Sequence, residues 1–240
     1  MKRKLRRLCD FALDLLYPAR CPACGKVVGW DEYFCAECEK SLEYIDPVPW
    51  QAMFPAKIGE SEPYFDCAEA LFRYEGTARS AVLSFKYRMS SGLADYAAER
   101  LSEKLGSDGY DSIDVVTSVP MHFAKRLDRG YDQAELLAGA MSRVTGAGFS
   151  GKLLGHRRRK LEQHNTLGKD RYSAAESTYF LRANAADKPL SGKTVLLCDD
   201  IFTTGSTVNK CAQLLKELGA ERVCAAVICL TVPEKHEDSE

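Results

Sequence analysis

Val195-Leu196-Leu197-Cys198-Asp199-Asp200-Ile201-Phe202-Thr203-Thr204-Gly205-Ser206-Thr207 decides how this chain folds. Thr194–Cys198 reads as a short buried strand, two acids follow it, and Ser206–Leu218 has the 3.6-residue period of a helix closed by Gly219. Open α/β sheets bind ligands at the carboxyl ends of their strands. Asp199 and Asp200 fall there, where they can accept hydrogen bonds from the vicinal hydroxyls of a ribose. In the turn, backbone N–H groups from Thr203, Thr204, Gly205, Ser206 and Thr207 can converge on a phosphate. Gly205 permits close approach, and the helix N-terminus favours negative charge. A helix cap needs one Ser or Asp, so the whole series points to a sugar phosphate. No Gly-Lys-Ser/Thr follows the strand, so this is not a Walker P-loop.

Outward from this stretch, strand-like and helix-like periods alternate. Ala68–Tyr74, Val115–Val119 and Arg222–Leu230 read as strands; Thr77–Phe85, Asp95–Leu105 and Gln133–Val144 read as helices. That order predicts an α/β domain with a mainly parallel sheet over residues 66–233. Gly146–Arg171 is basic and aperiodic, which predicts a long loop. Pro47, Pro49, Pro55, Pro63 and Gly59 interrupt any regular element and mark a linker at 46–65. At the start, Leu5, Leu8, Ala12, Leu15 and Leu16 share one helical face, and Pro18 ends the pattern, giving an amphipathic helix within 1–18. It either packs on the body or serves as a basic membrane-surface or partner-binding helix. Residues 234–240 form an acidic tail.

Cys21-Pro22-Ala23-Cys24 and Cys35-Ala36-Glu37-Cys38 pair two Cys-x-x-Cys knuckles across a ten-residue spacer, within a module spanning 19–45. Four thiolates so arranged make a closed tetrahedral Zn²⁺ site with no open position for substrate, so the expected role is structural. So small a module has no core of its own, and the metal would supply its folding free energy. The chain has ten cysteines; the other six lie scattered in apolar stretches and read as small buried hydrophobes in a reducing compartment. With a net charge of -1 and no run of ~20 apolar residues, the expectation is a cytoplasmic protein without a membrane span. The bulk charge does not point to nucleic acid.

The stretch at 195–207 resembles the 5-phosphoribosyl-1-diphosphate (PRPP) motif of type I phosphoribosyltransferases. The likeness extends through Tyr74-Glu75-Gly76, Lys86, Val119-Pro120-Met121-His122, Arg126, Arg129-Gly130-Tyr131-Asp132-Gln133-Ala134, Gln163 and Arg171, and includes the cysteine module. In that order these residues resemble the ComF/GntX family, associated with competence and DNA uptake and phosphoribosyltransferase-like. The resemblance implies a type I phosphoribosyltransferase-like parallel sheet flanked by helices, and PRPP as ligand with Mg²⁺. It implies that Asp199 and Asp200 hold the ribose hydroxyls and Thr203–Thr207 the 5′-phosphate. The turn at Pro120, Met121 and His122 would offer amides to the diphosphate; Lys86, Arg126 and Arg129 would neutralise it, and the basic segment Arg157–Arg171 would close over it. Asp132 departs from the family, which usually has Asn there, and is left out of the site.

Two functions remain open at this level. One is phosphoribosyl transfer to an acceptor the sequence does not identify. The other is a non-catalytic PRPP-responsive protein that binds single-stranded DNA or a competence partner, with Tyr33, Phe34 and Tyr44 of the cysteine module stacking on bases or forming a small core around the metal. His122 and His164 could act on an acceptor proton or simply pack. The acceptor-binding hood would come from around Ala68–Tyr74 and Ser177–Leu181. Oligomeric state is not legible.

Overall fold

The computed structural model of the protein describes residues 18–29, 31–45, 62–87, 92–107, 112–157, 178–185 and 190–231. The amphipathic helix, nearly all of the linker, His164, most of the basic segment after Arg157 and the acidic tail lie outside the described residues. Among the described residues no helix is long and apolar enough to cross a membrane.

Five parallel strands form the sheet: β1 (Cys67–Arg73), β2 (Val115–Ser118), β3 (Gly148–Phe149), β6 (Thr194–Phe202) and β7 (Arg222–Leu230). Their spatial order is β1-β7-β6-β2-β3. β6 and β7 are central, so both their faces are covered and their sequences are near-continuous apolar runs. Along β6, Leu196 and Cys198 join the core on one face with Phe72, Phe85, Leu137 and Met141. Val195 and Leu197 join the other with Phe202, Leu215 and Val227. Helices α2 (Gly76–Tyr87), α3 (Gly92–Ser107) and α5 (Gln133–Thr145) feed the first core; α6 (Ser206–Glu217) feeds the second. A separate antiparallel pair, β4 (Leu154–His156) and β5 (Tyr179–Leu181), joins His156 to Tyr179 in register.

Three local expectations change. β6 runs four residues past Cys198, so both aspartates lie inside the strand, paired through Asp199 to Val227 and through Phe202 to Leu230 of β7. Burial of Phe202 anchors that extension. The expected loop at Gly146–Arg171 contains β3 and β4, two and three residues long and too short to show a period of two. Cys67 and Cys224, read as separate small hydrophobes, are in-register neighbours on β1 and β7 and form a disulfide; Cys198, Cys211 and Cys229 are buried thiols as expected.

The cysteine module sits against β1 and α3. Tyr33 and Phe34 meet Tyr96 of α3 edge-on at 5.4 and 5.0 Å, and the Tyr33 hydroxyl donates to Glu99 at 2.9 Å. Tyr44 packs on Phe72 at 5.0 Å, shares a hydroxyl hydrogen bond with Tyr96, and pairs antiparallel with Phe72. The Ile45 amide donates to the Leu71 carbonyl at 2.8 Å. The module's exit strand thereby covers part of the β1 edge, which would otherwise expose unpaired backbone groups. Stacking of all three aromatics on bases is thus corrected: Phe34 is buried and Tyr33 is engaged, because the module needs them to dock.

Candidate functional site

Asp199, Asp200 and Thr207 line one cavity of about 220 Å³ at the carboxyl ends of β2 and β6, together with Lys86, Pro120, Met121 and Arg129. The two halves of the predicted site, separated by some 80 residues, therefore converge because β2 and β6 are hydrogen-bonded neighbours with Ser118 opposite Cys198. The Asp200 amide donates to Asp199 Oδ1 at 2.8 Å, and Lys86 Nζ lies 2.8 Å from Asp200 Oδ2 with both side chains more than four-fifths buried. Burial, then the charge of Asp200, pushes the Asp199 carboxyl well above its ordinary range. The pair therefore presents one carboxylate fixed by a lysine and one carboxyl that resists ionisation.

The Arg129–Gln133 segment accounts for the aim of Lys86. The Tyr131 hydroxyl and, at 3.4 Å, Gln133 Nε2 both donate to the Phe85 carbonyl at the end of α2. Arg129 Nη1 donates to Gln133 Oε1 at 3.0 Å, and its guanidinium lies 5.5 Å from the centre of the Tyr87 ring. These contacts bracket Lys86 on both sides. Arg126, predicted alongside, pairs with Glu135 at 2.9 Å and does not line the cavity.

Asp132 has a role that its residue type explains. One oxygen accepts the Glu135 amide, capping α5, and the other accepts the Met121 amide; both bonds are 3.2 Å. Two acceptor oxygens are needed, and an asparagine offers one. Burial raises the Asp132 carboxyl above its usual value. The Met121 amide, expected to face a leaving group, is thus engaged by Asp132. His122 caps α4 (Phe123–Arg129), accepting the Ala124 amide at Nδ1 at 3.1 Å.

In the turn after β6, Gly205 has φ +75°, a left-handed backbone that a glycine adopts without strain. Thr203 and Thr204 are exposed; Thr204 and Ser206 share a hydroxyl hydrogen bond at 2.9 Å. The first N–H groups of a helix have no intrahelical acceptor. Among the described residues none of the amides from Thr203 to Thr207 is taken up by a protein acceptor.

Lys125 and His156, both lining the cavity, escaped the sequence reading, and Tyr179 was placed only within the expected hood at Ser177–Leu181. His156 and Tyr179 arrive together on β4 and β5, which carry no local signal because each is three residues long. Of the hood expected from Ala68–Tyr74 and Ser177–Leu181, only the second part reaches the cavity; β1 is the far edge of the sheet.

The sulfurs of Cys21, Cys24, Cys35 and Cys38 lie within 4.8 Å of one another, with Cys24 and Cys35 at 3.7 Å. A tetrahedral Zn–S bond of about 2.3 Å places sulfurs about 3.8 Å apart, so the set fits zinc. Gly25, at φ +77°, turns the first knuckle so that its amide donates to the Cys21 carbonyl at 2.9 Å. The second knuckle is closed by α1 (Ala36–Lys40), with Glu39 donating to the Cys35 carbonyl at 2.9 Å.

Comparison with known proteins agrees with both modules. Residues 134–240 match the phosphoribosyl transferase domain, and residues 12–49 match the double zinc ribbon domain. The DNA utilization protein YhgH of Salmonella typhi is 25% identical over 212 residues, covering 88% of this chain and 84% of that protein. Competence protein F of Haemophilus influenzae is 24% identical over 219 residues, with 90% and 92% covered. Competence protein ComFC of Streptococcus pneumoniae is 27% identical over 206 residues, with 80% and 86% covered.

Proposed function

We propose, for a chain that carries a phosphoribosyltransferase-like domain and a zinc ribbon and has DNA utilization and competence proteins as homologues, that the cavity binds Mg·PRPP and that the protein transfers its phosphoribosyl group to an acceptor. The activity would serve DNA utilization or competence, the settings its relatives' names give. One observation supports this reading above the others: the aspartate pair, the lysine that fixes one of them, and Thr207 in the first turn of α6 line a single cleft, whereas Thr203–Ser206, whose amides are also unclaimed, do not line it.

The chemistry follows from where charge develops. As the C1–O bond of PRPP breaks, the electron pair leaves on diphosphate, and the main work is to stabilise that anion while the sugar is held still. Mg²⁺ bound to the diphosphate would spread its charge. In our reading Asp199 and Asp200 fix the ribose through its 2′- and 3′-hydroxyls. The Thr203–Thr207 amides hold the 5′-phosphate against the N-terminus of α6. Lys86, held by Tyr131 and Gln133, and Arg129 supply positive charge. The zinc ribbon takes no part in the bond changes.

Isothermal titration with Mg·PRPP tests the reading, with saturable one-to-one binding expected; absence of saturation refutes it. Lys86 and Arg126 separate the site from its surroundings. Loss of one charge-assisted hydrogen bond costs roughly 1.5–3 kcal/mol, so Lys86→Met should weaken Mg·PRPP about tenfold or more. Arg126→Ala, whose partner is Glu135, should change it by less than about threefold. Equal losses in the two variants would contradict the placement of Lys86.

A further inference from the structure

Asp132 lines the same cavity as Asp199 and Asp200 and, at 6% exposure, is buried in its wall. Its carboxylate takes an amide from each of two segments: Glu135 in the first turn of α5, and Met121 in the turn after β2, both at 3.2 Å. A bound phosphate collects donors of the same kind, backbone N–H groups from a turn and from a helix N-terminus. The chain thus supplies its own anion beside the turn assigned to the diphosphate.

The charges around it make that internal anion matter. The lining carries the carboxyls of Asp132, Asp199 and Asp200 and the cations of Lys86, Lys125 and Arg129. Lys86 is paired with Asp200, and Arg129 is engaged by Gln133 and Tyr87. Asp199 resists ionisation. That leaves Asp132, whose hydrogen bonds among the described residues come from amides, as the carboxylate that an incoming anion meets. Burial raises its carboxyl above the ordinary 3.8; the Glu135 and Met121 amides oppose the rise, the Glu135 charge adds to it, and Arg126 of α4 lowers it. Asp199 of β6 is the other acid within electrostatic reach. A polyanion arriving beside such a group favours its protonated form further.

Resting on the PRPP reading, we infer that Asp132 is a positioning residue that couples diphosphate binding to the uptake of a proton: ionised, it holds the Met121 amide in the ligand's stead, and protonated, it releases that amide to a diphosphate oxygen. The proton comes from solvent and sits on Oδ2, the oxygen that had accepted from Met121. Oδ1 goes on accepting from Glu135, because a protonated carboxyl keeps acceptor capacity on its other oxygen. When the proton returns to solvent, the carboxylate reclaims Met121 and repels the diphosphate, which favours its release. The sign is fixed by linkage. A bound anion raises the Asp132 carboxyl, so affinity grows as pH falls from the value of the occupied site to that of the empty one, and levels off below it.

The test is calorimetric titration of the full chain with Mg·diphosphate from about pH 5 to about pH 8, in buffers of differing ionisation heat so that the protons taken up are counted. Asp132→Asn mimics the neutral carboxyl, with a single acceptor oxygen. At the alkaline end it should bind about tenfold more tightly than the wild type, because a full charge is removed from a largely buried wall. The two affinities should converge toward the acid end. The wild type should also take up more protons than the variant, by up to about one; protonation of diphosphate itself is common to both and cancels. A purely structural cap would give the opposite result, weaker binding with an unchanged proton count. Asp132→Ser, which keeps an oxygen for the Glu135 amide, carries the same expectation and guards against a folding defect in one variant. Equal proton counts, or variants that bind no more tightly at the alkaline end, overturn the inference. Mg·PRPP titrated into the wild type separates the two failures: if it binds and the proton counts agree, Asp132 alone is misassigned; if neither ligand binds, the PRPP reading falls too.

Discussion

Replacing Asp199 and Asp200 together by asparagine should weaken Mg·PRPP binding at least about 30-fold, since each carboxyl is assigned to a ribose hydroxyl, a hydrogen bond to the charged Asp200 contributing roughly 1.5–3 kcal/mol and one to the neutral Asp199 roughly 0.5–1.5 kcal/mol. Calorimetry reads the loss directly; retained affinity in the double variant would remove the aspartates from the site. The single change Asp199→Asn should do something else as well. Its carboxyl is raised far above the ordinary aspartate value of 3.8 by burial and by the Asp200 charge. Folding therefore favours the protonated form, and the group's cost to stability grows as pH climbs from 3.8 toward its folded value. Asparagine removes that cost while keeping an oxygen for the Asp200 amide. The variant should melt later than the wild type near neutral pH, by about 2–4 °C per kcal/mol regained in a protein of this size. The gap should close toward pH 4. A thermal scan across pH checks the sign, and an earlier melt at neutral pH would show that the buried carboxyl is no burden. Asp200→Asn should lack this gain, because it strips Lys86 of its partner in a largely buried setting.

Removing zinc should have the second large effect. Metal affinity in such four-thiolate knuckles corresponds to roughly 10–16 kcal/mol near neutral pH, and among the described residues of the ribbon little but Cys21, Pro22, Phe34 and Leu42 is buried. A strong chelator, or Cys35→Ser with Cys38→Ser, should unfold the ribbon. Its loss exposes the Tyr96 face of α3 and uncovers the β1 edge, where Ile45 now donates to Leu71. The expected readout is one zinc per chain by elemental analysis in the intact protein. In the variant the expectations are loss of that zinc, enhanced binding of a hydrophobic dye and concentration-dependent aggregation through the freed strand edge. Mg·PRPP binding should survive at low protein concentration, since the cavity lies across the sheet from the ribbon, toward β2 and β6. A zinc-free protein that stays folded and monomeric would show the ribbon to be held by packing alone.

The fold was legible, and the candidate aspartates and turn could be named, because both are written in contiguous sequence. A buried strand flanked by turn chemistry and an amphipathic helix has a period that no tertiary contact needs to supply. The Asp-Asp pair and the amide-rich turn follow one another in the chain, and the same holds for the two cysteine knuckles. Everything that came from the approach of distant segments was invisible. Lys86 reaches Asp200 across 114 residues only because Tyr131 and Gln133 clamp the end of α2. Asp132 looked like a weakened ligand, yet its two oxygens satisfy two amides from different segments. Cys67 and Cys224, 157 residues apart, become neighbours because β1 and β7 pair in register. His156 joins Tyr179 through a three-residue strand with no periodicity of its own. The sequence by itself determined which backbone forms the amide-rich turn before α6 and which thiols gather into one four-cysteine cluster, because those depend on local conformation and spacing. Tertiary structure alone decided which charges face that turn and which rings wall the cavity, because side-chain pairing across strands depends on register, and register is a property of the whole sheet.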